Sequence, residues 1–177
     1  MASRSIEVLA PAVKEKARKL IMVCNSVGVD ILIYCTLRSL EEQARLYRQS
    51  RSWGEIKDKI LKFRNRGFDY LADILDNVGP CNGKHVTNAA PGESWHNYAE
   101  AWDAVPLIGG KAAWNYYDAK EQWDAYGECV TQLDMEWAGN WKSFREYPHA
   151  QLRHGSNPLK VFDADKIKEI LTENKLI

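Results

Sequence analysis

The chain has 177 residues, and its 24 Lys+Arg balance 24 Asp+Glu, so the formal net charge is zero. Hydrophobic residues make up 45% and charged residues 27%, which is ordinary globular usage and excludes a disordered chain or a collagen-like repeat. The length favours one domain over residues 1–177, and the charge balance argues against a nucleic-acid-binding protein.

The first part of the chain alternates between helical and strand patterns. From Pro11, apolar residues recur at steps of three and four, which predicts an amphipathic helix that ends at Gly28. Residues 30–35 are typical of a buried strand. Ser39, with Glu42 three residues later, predicts a helix that begins with a capping box.

The rest of the chain continues this alternation, beginning with a helical pattern over residues 53–78 that breaks at Gly67. The elements predicted after it are a loop over 77–92, a strand over 99–105, a helix over 118–133, a short strand over 147–152 and a final helix capped by Asp165. Short strands separated by helices indicate an α+β fold.

Targeting signals and cysteine motifs are missing from the sequence. Residues 1–23 hold no apolar stretch of about 7–15 residues, which a secretory signal needs, and no span of about 20. We therefore expect a chain made in the cytoplasm without a signal peptide and without membrane insertion. The four cysteines have no Cys-x-x-Cys spacing, so we interpret them as structural thiols and expect no role for His85 or His154, the latter at the surface.

One strand and the loop before it carry the first residues suited to chemistry. Asp103 lies on the same strand face as Ala101 and Val105, where a carboxylate needs an ion pair, hydrogen bonds or a metal. His96 comes seven residues earlier, an odd separation that brings it to Asp103 only if the chain bends near residues 97–99. An isolated structural ion pair remains an alternative for Asp103.

The second group of reactive residues is Glu146 and His149, which are separated by Tyr147 and Pro148. Because Pro148 excludes a regular helix interior, this is not the helical His-Glu-x-x-His zinc motif. Two histidines and one carboxylate nevertheless form a standard ligand set for catalytic zinc, and a further carboxylate serves as the base. The residue types thus indicate a zinc site with Glu146 as base, an interpretation that spacing alone leaves open.

Several motifs then match one family in the correct order. The segment from Ser94 to Asp103 resembles the Ser-x-His-x-x-Gly-x-Ala-x-Asp signature of the VanY-type zinc peptidases, and Glu146-x-x-His149 resembles their second signature. Residues 36–47 and 83–89 resemble the N-terminal segment of that family and its approach to the first histidine. This family comprises D-alanyl-D-alanine carboxypeptidases and L-alanyl-D-glutamate endopeptidases, and it is related in fold to the Hedgehog signalling domain.

The resemblance implies a fold, a cofactor and a set of site residues. The implied fold is a Hedgehog/DD-peptidase-like single domain, with a small antiparallel sheet flanked by helices, a helical insertion over about 53–82 and a short C-terminal helix over about 163–175. One Zn²⁺ per chain is expected. The residues implied are His96, Asp103 and His149 as zinc ligands, Glu146 and Arg38 as catalytic residues, and Ser94, Gln43 and Trp141 as residues that orient the site or bind substrate.

The endopeptidase branch, which includes bacteriophage lysis enzymes, is the most similar part of the family. The resemblance therefore implies a monomeric enzyme that cuts the L-alanyl-D-glutamate bond of the peptidoglycan stem peptide and acts on the cell wall after release from the host cytoplasm. A D-alanyl-D-alanine carboxypeptidase is the nearest alternative. A non-catalytic, zinc-bearing wall-binding module is an alternative from another class.

The chain departs from the family pattern in three places. Ala99 stands where the family has Gly, which narrows the backbone conformations open to the expected bend. Ala150 follows the final ligand where a bulkier aromatic residue is common, and we expect this to change the pocket wall. The helical insertion is expected to be a lid, a wall contact or a solvent-facing hairpin.

Overall fold

The structure is a computed structural model that describes residues 2–153, 155 and 157–177. The chain forms two compact units. The first, called here the sheet unit, is built from Ala2–Leu37 and Ala99–His154, and the second, the helical unit, from Arg38–Tyr98 and Gly155–Ile177. His154 itself lies outside the described residues, and with it the expectation that this histidine is at the surface.

The regular elements follow in chain order. The helices are α1 (Pro11–Ser26), α2 (Leu40–Arg48), α3 (Trp53–Arg64), α4 (Asp69–Asn77), α5 (Lys120–Gln132), α6 (Pro158–Val161) and α7 (Ala164–Glu173). The strands are β1 (Asp30–Cys35), β2 (Ala101–Ile108), β3 (Lys111–Ala112), β4 (Glu136–Trp137) and β5 (His149–Gln151). Short 3₁₀ helices span Ile6–Val8, Trp95–Tyr98, Tyr116–Asp118 and Ala138–Asn140.

The sheet unit confirms the α+β class with a small antiparallel sheet and helices. Its strands run in the order β1-β2-β5-β4, and β3 pairs with β2, all antiparallel. Helices α1 and α5 share one hydrophobic core with these strands. Of the apolar residues that recur along α1, Val13, Ala17, Leu20 and Cys24 have no exposed surface, which confirms the predicted inner face, whereas Val27, the last residue of that pattern, follows the helix and is 57% exposed.

Two expectations for the sheet unit were wrong. Strand β1 is not buried throughout, because it lies at one end of the strand order and leaves Leu32 about half exposed. Ala150 does not line a pocket wall. It is fully buried in the core and pairs with Trp102 on β2 and Trp137 on β4, because alternation along β5 directs it away from the face of His149.

The helical unit has two helices in the segment predicted to be helical, α3 and α4. Gly67 lies between them with a φ of +77°, a left-handed conformation that breaks the helical pattern as expected. The buried residues of α4 are Leu71, Ala72 and Leu75.

Several helices of this unit begin at a side-chain cap. The Ser39 hydroxyl accepts a hydrogen bond from the Glu42 amide at 3.1 Å, which confirms Ser39 as the cap of α2. Both bonds of a capping box are present at Ser52 and Glu55, where α3 begins. Asp163, and not Asp165, caps α7, since its carboxylate accepts from the Lys166 amide at 2.9 Å while Asp165 lies inside the first turn.

None of the described helices is long and apolar enough to cross a membrane. The four cysteines, all within the described residues, form no disulfide.

Candidate active site

The sheet unit brings Asp103 and His149 together. Asp103 on β2 is the Cα partner of His149 on β5, and paired residues of antiparallel strands direct their side chains to the same face. The His149 Nδ1 atom lies 3.1 Å from Asp103 Oδ1. His149 is buried and Asp103 is mostly covered, so the pair is shielded from most solvent.

This pair fits two positions of a tetrahedral metal site. Zinc binds imidazole nitrogen and carboxylate oxygen at about 2.0–2.2 Å, which places neighbouring tetrahedral ligands about 3.3 Å apart. The observed separation of Nδ1 and Oδ1, 3.1 Å, is close to that distance between ligands. A lone pair on Nδ1 facing a carboxylate requires a proton or a metal cation between them. The donor set therefore suits a divalent cation.

The electrostatic surroundings favour positive charge on the His149 ring. Burial acts to lower the pKa of His149, but the hydrogen bond and charge of Asp103, the charge of Glu146 and the hydrogen bond to the Gln151 side-chain oxygen raise it. The net result is a raised pKa. Groups that hold a proton here also stabilise a cation in its place.

Glu146 lies in the turn that leads into β5. Its backbone carbonyl accepts a hydrogen bond from the His149 amide at 3.1 Å, and its own amide donates to the Ala138 carbonyl at 3.3 Å. The side chain is half-buried, and its charge acts on His149. The chain thus places a carboxylate beside the Asp103–His149 pair, as a base requires.

The sequence analysis did not predict a polar network that lies on the same side of the sheet as His149. His149 Nε2 lies 3.1 Å from Gln151 Oε1, and Gln151 Nε2 donates to Glu136 Oε2 at 2.8 Å. The Trp141 indole donates to Glu136 Oε1 at 2.8 Å, and its ring centroid is 5.8 Å from that of His149. Period-two alternation along β5 was a signal for Gln151, because it lies two residues after His149.

Cys35 is a second residue whose position the sequence analysis did not predict. It is buried at the end of β1 as the Cα partner of Asp103, so Cys35, Asp103 and His149 form one row across three strands. A register irregularity lies just before it, between Ile33 and Cys35. Sequence alone could not reveal this row because it depends on strand pairing.

The helical unit holds a separate group around Arg38. The Arg38 guanidinium donates from Nη1 to Gln43 Oε1 at 2.9 Å, and Gln43 Nε2 donates to the Ala89 carbonyl at 2.7 Å. The Arg38 amide donates to the His96 carbonyl at 3.1 Å. Arg38, Gln43 and the backbone of His96 are therefore held together, with the fork of the guanidinium fixed by a buried amide.

Asn97 organises the 3₁₀ helix that carries His96. This asparagine is buried, and its Nδ2 donates to the Arg38 carbonyl at 2.9 Å. Its Oδ1 accepts from the Gly92 amide at 3.0 Å, and its own amide donates to the Ser94 carbonyl at 3.0 Å. Asn97 was treated only as part of a motif in the sequence analysis, although it fixes the loop on which Ser94 and His96 lie.

The predicted site residues consequently fall into two groups, one in each unit. The sheet unit holds Asp103, Trp141, Glu146 and His149. The helical unit holds Arg38, Gln43, Ser94 and His96.

Comparison with known proteins gives the family. A family model described as D-alanyl-D-alanine carboxypeptidase matches residues 87–152, a segment that contains His96, Asp103, Glu146 and His149. The chain is also 31% identical over 150 residues to the peptidoglycan L-alanyl-D-glutamate endopeptidase CwlK of Bacillus subtilis, across 81% of this chain and 73% of that protein. The chain belongs to the VanY-type zinc peptidase family.

The chain is similar to further proteins at lower sequence identity. The L-alanyl-D-glutamate peptidase of Listeria phage A118 is 25% identical over 150 residues, which cover 85% of this chain and only 40% of the phage protein. Among solved structures, the Serratia marcescens L-Ala D-Glu endopeptidase ChiX aligns with a TM-score of 0.44 at 17% identity, over 86% of this chain and 89% of that one. A Zn(II) complex of a variant of the vancomycin-resistance D,D-pentapeptidase VanY aligns with a TM-score of 0.47 at 13% identity, over 94% and 83%.

Proposed function

We propose that this VanY-type peptidase is a zinc-dependent peptidoglycan hydrolase that cleaves the L-alanyl-D-glutamate bond of the cell-wall stem peptide. The observation that carries the proposal is the Asp103–His149 pair, with Nδ1 and Oδ1 3.1 Å apart and Glu146 beside it. The choice of bond follows the names of the Bacillus and Listeria phage relatives, both of which are L-alanyl-D-glutamate peptidases.

The proposed zinc ligands are His96, Asp103 and His149, with one Zn²⁺ per chain. Imidazole and carboxylate are the ligand types of catalytic zinc sites, which hold three protein ligands and leave one position for water or substrate. When bound, zinc supplies a Lewis acid that polarises the scissile carbonyl and makes water more acidic. The protein's part is to hold the donors and to keep the pair buried.

Two side chains are proposed to act on the reacting groups directly. Glu146 takes a proton from the attacking water and passes it to the departing amine of D-Glu, which is the work of a general base and then a general acid. Arg38 binds a carboxylate of the substrate, because a guanidinium stays charged and presents donors in a fixed fork. Gln43 accepts from Arg38 Nη1 and so fixes the direction of that fork. Ser94 and Trp141 are proposed to orient the site.

The biological setting is proposed to be lysis of a bacterial host by a phage enzyme. This setting is supported by the phage relative, which is an L-alanyl-D-glutamate peptidase. The substrate is then the stem peptide of peptidoglycan, and the enzyme acts as a monomer on the cell wall after release from the cytoplasm in which it is made.

A D-alanyl-D-alanine carboxypeptidase is the second candidate, and the description of the matching family model favours it. Both reactions use the same metal, base and water, so the products must separate them. Purified peptidoglycan and defined muropeptides are digested, and the released products are identified by mass. New N-terminal D-Glu supports the endopeptidase, whereas free D-Ala as the main product supports the carboxypeptidase.

Two controls test the chemistry apart from the choice of bond. Glu146→Gln keeps the size of the side chain but removes the base, and we expect it to lower kcat by about 100-fold or more. Chelation of zinc is expected to abolish turnover, and added Zn²⁺ to restore it. A Glu146→Gln variant as active as wild type contradicts the mechanism, and stoichiometric zinc without any turnover supports a wall-binding module instead.

A further inference from the structure

We propose that Trp114 and Tyr34 form a saccharide subsite, which binds the sugar to which the stem peptide is attached. The subsite rests on the proposed function in one respect, since it takes the L-alanyl-D-glutamate bond as the bond that is cut. In peptidoglycan this L-alanine is joined by an amide to the lactyl group of N-acetylmuramic acid. An enzyme that cuts the bond after L-alanine therefore has a sugar one residue away from the reacting carbonyl.

The face of the sheet that carries Asp103 continues on to β1. Val105 lies two residues after Asp103 on β2 and so shares its face. Leu32 on β1 is the Cα partner of Val105, which places Leu32 on that face as well. Tyr34 follows two residues later and directly precedes Cys35, the Cα partner of Asp103. These β1 residues and the candidate site are thus neighbours within the sheet unit.

Trp114 contacts Tyr34 and forms an exposed aromatic surface with it. The centroids of the two rings are 5.1 Å apart at an interplanar angle of 72°, which is an edge-to-face arrangement. Trp114 is 61% exposed, and Leu32 beside Tyr34 on β1 is 47% exposed. The contact with Tyr34 therefore orients the indole but leaves most of it open to solvent. Exposed apolar side chains that lie together mark binding surfaces, whereas scattered ones are ordinary.

A sugar ring has the chemistry that this surface can bind. One face of a pyranose ring is lined by C–H groups, and their slight positive charge is attracted to the negative face of an aromatic ring. The hydroxyl and acetamido groups of the sugar also need hydrogen-bond partners at the edge of the rings. Asn115, next to Trp114, is exposed, and its Oδ1 accepts from the Tyr117 amide at 3.0 Å. Its Nδ2 group is then a donor for the sugar.

Charge and area favour a sugar over the other partners of an aromatic surface. Residues 106–118 hold one cation, Lys111, and one anion, Asp118, whereas an anionic membrane attracts a cluster of Lys and Arg. The sugar at this position is neutral, because the amide bond to L-alanine removes the charge of the lactyl carboxyl group. A protein interface buries about 800 Å² on each partner, and an aromatic side chain supplies only about 150–250 Å² of that area. Two rings and Leu32 match a sugar ring in size.

The first experiment measures saccharide binding and needs no turnover. The probe is the disaccharide of N-acetylglucosamine and N-acetylmuramic acid, with the lactyl carboxyl group converted to its amide. The indole N–H signals of the seven tryptophans are followed by NMR in the full chain, and the signal missing from Trp114→Ala identifies Trp114. Trp53 on α3 is the matched control, since it is 49% exposed and belongs to the helical unit. Its signal is identified in Trp53→Ala.

We expect the Trp114 signal to shift saturably with the disaccharide, while the Trp53 signal stays in place. Tyr34→Leu should weaken this binding by about 3- to 10-fold, as is typical of losing one aromatic contact. The subsite is overturned if the Trp114 signal does not move, or if both signals move alike. A Trp114 signal that responds only to phosphatidylglycerol vesicles or to protein concentration would replace the sugar with a membrane or a second copy of the chain.

The second experiment compares cleavage of the disaccharide-linked stem peptide with cleavage of the same peptide without its sugar. The measured quantity is the ratio of the two kcat/KM values. We expect this ratio to exceed one in wild type and in Trp53→Ala, and to fall by about 3- to 10-fold in Trp114→Ala and in Tyr34→Leu. Tm shows that each variant is folded, and Tyr34→Leu keeps the test decisive if Trp114→Ala is not. An unchanged ratio in the folded variants overturns the subsite.

The two readouts separate the saccharide subsite from the proposed function. A wild-type chain that cuts both peptides equally well retains the proposed function and overturns the subsite. A wild-type chain that cuts neither peptide ends the proposed function, and the disaccharide titration alone then decides whether Trp114 and Tyr34 bind a sugar.

Discussion

Asp103 Oδ1 on β2 lies 3.1 Å from His149 Nδ1 on β5, across a strand pair whose register is set by backbone hydrogen bonds. This makes Asp103→Asn a direct test of the metal site, because the amide keeps the shape but removes the negative charge. We expect zinc affinity to fall by more than the about 10- to 100-fold that is typical of losing a residue that only orients a ligand. The measurement is the rise in Tm on addition of zinc, which reports binding to the folded state.

The matched control is Asp124→Asn on α5, where the carboxylate is paired with Lys120 and Tyr116 away from His149. This control should retain the full zinc-dependent rise in Tm. An equal rise in Asp103→Asn and wild type would show that Asp103 is not a ligand.

Ala99 has a φ of +56°, a left-handed conformation that residues with a Cβ adopt at a cost of about 1–2 kcal/mol. It is also the position at which the related family has Gly. We expect Ala99→Gly to raise the free energy of unfolding by about 1 kcal/mol, after allowance for the greater freedom of Gly in the unfolded chain. Urea denaturation measures the change.

Ala104→Gly is the control for this substitution, because Ala104 lies within β2 and is equally buried. Gly weakens a strand interior, so this variant should be destabilised by about 0.5–1 kcal/mol. A loss of stability in Ala99→Gly as well would mean that strain at Ala99 is not relieved by removing its Cβ.

The spacing of apolar residues predicted those features of the sheet unit that depend on a single helix or strand. The spacing of apolar residues gave α1 from Pro11 and its inner face, because the 3.6-residue period is local to the helix. The core position of Ala150 was not predicted in the same way. It depends on pairing with Trp102 and Trp137, which lie far away in the sequence.

The candidate site shows the same division. His149 and Asp103 were recognised from motif and residue type, but Gln151 and Cys35 were missed. Their importance comes from strand register, which places Cys35 opposite Asp103 and Gln151 opposite Glu136. Sequence spacing fixes which face of a strand a residue occupies but not its neighbour on the next strand.

The side chain of Asn97 bonds the loop before His96 to the backbone of Arg38. It donates to the Arg38 carbonyl and accepts from the Gly92 amide, and it is only 2% exposed. Asn97→Ala leaves both backbone groups without this partner, so we expect a loss of about 2–4 kcal/mol in the free energy of unfolding. Asn88→Ala, at an exposed asparagine whose side chain bonds to His85, should change it little. Equal effects in urea denaturation would contradict the role of Asn97.

The α3 helix is tied to the loop before His96 by an ion pair. Lys59 Nζ lies 2.6 Å from Glu93 Oε1, and Glu93 also accepts from the Ala90 amide at 3.0 Å. Both side chains are mostly buried, so Lys59→Met leaves a covered carboxylate without its cation. We expect a loss of about 2–3 kcal/mol in the free energy of unfolding. Lys62→Met, at an exposed position of the same helix, should be neutral, and matching losses in both would show that the ion pair contributes nothing.

Tyr126 is fully buried, and its hydroxyl donates to the Pro148 carbonyl at 2.9 Å while accepting from the Trp102 indole. Burial raises the pKa of this phenol well above its usual value, although the Trp102 hydrogen bond lowers it in part. The folded state therefore favours the neutral form, and this contribution to stability is complete below about pH 10 and is lost as pH rises towards the folded pKa. Wild type should lose stability more steeply above that pH than Tyr126→Phe, as measured by urea denaturation at a series of alkaline pH values. Tyr117→Phe, at a residue 82% exposed, should follow wild type, and identical alkaline profiles for wild type and Tyr126→Phe would refute the prediction.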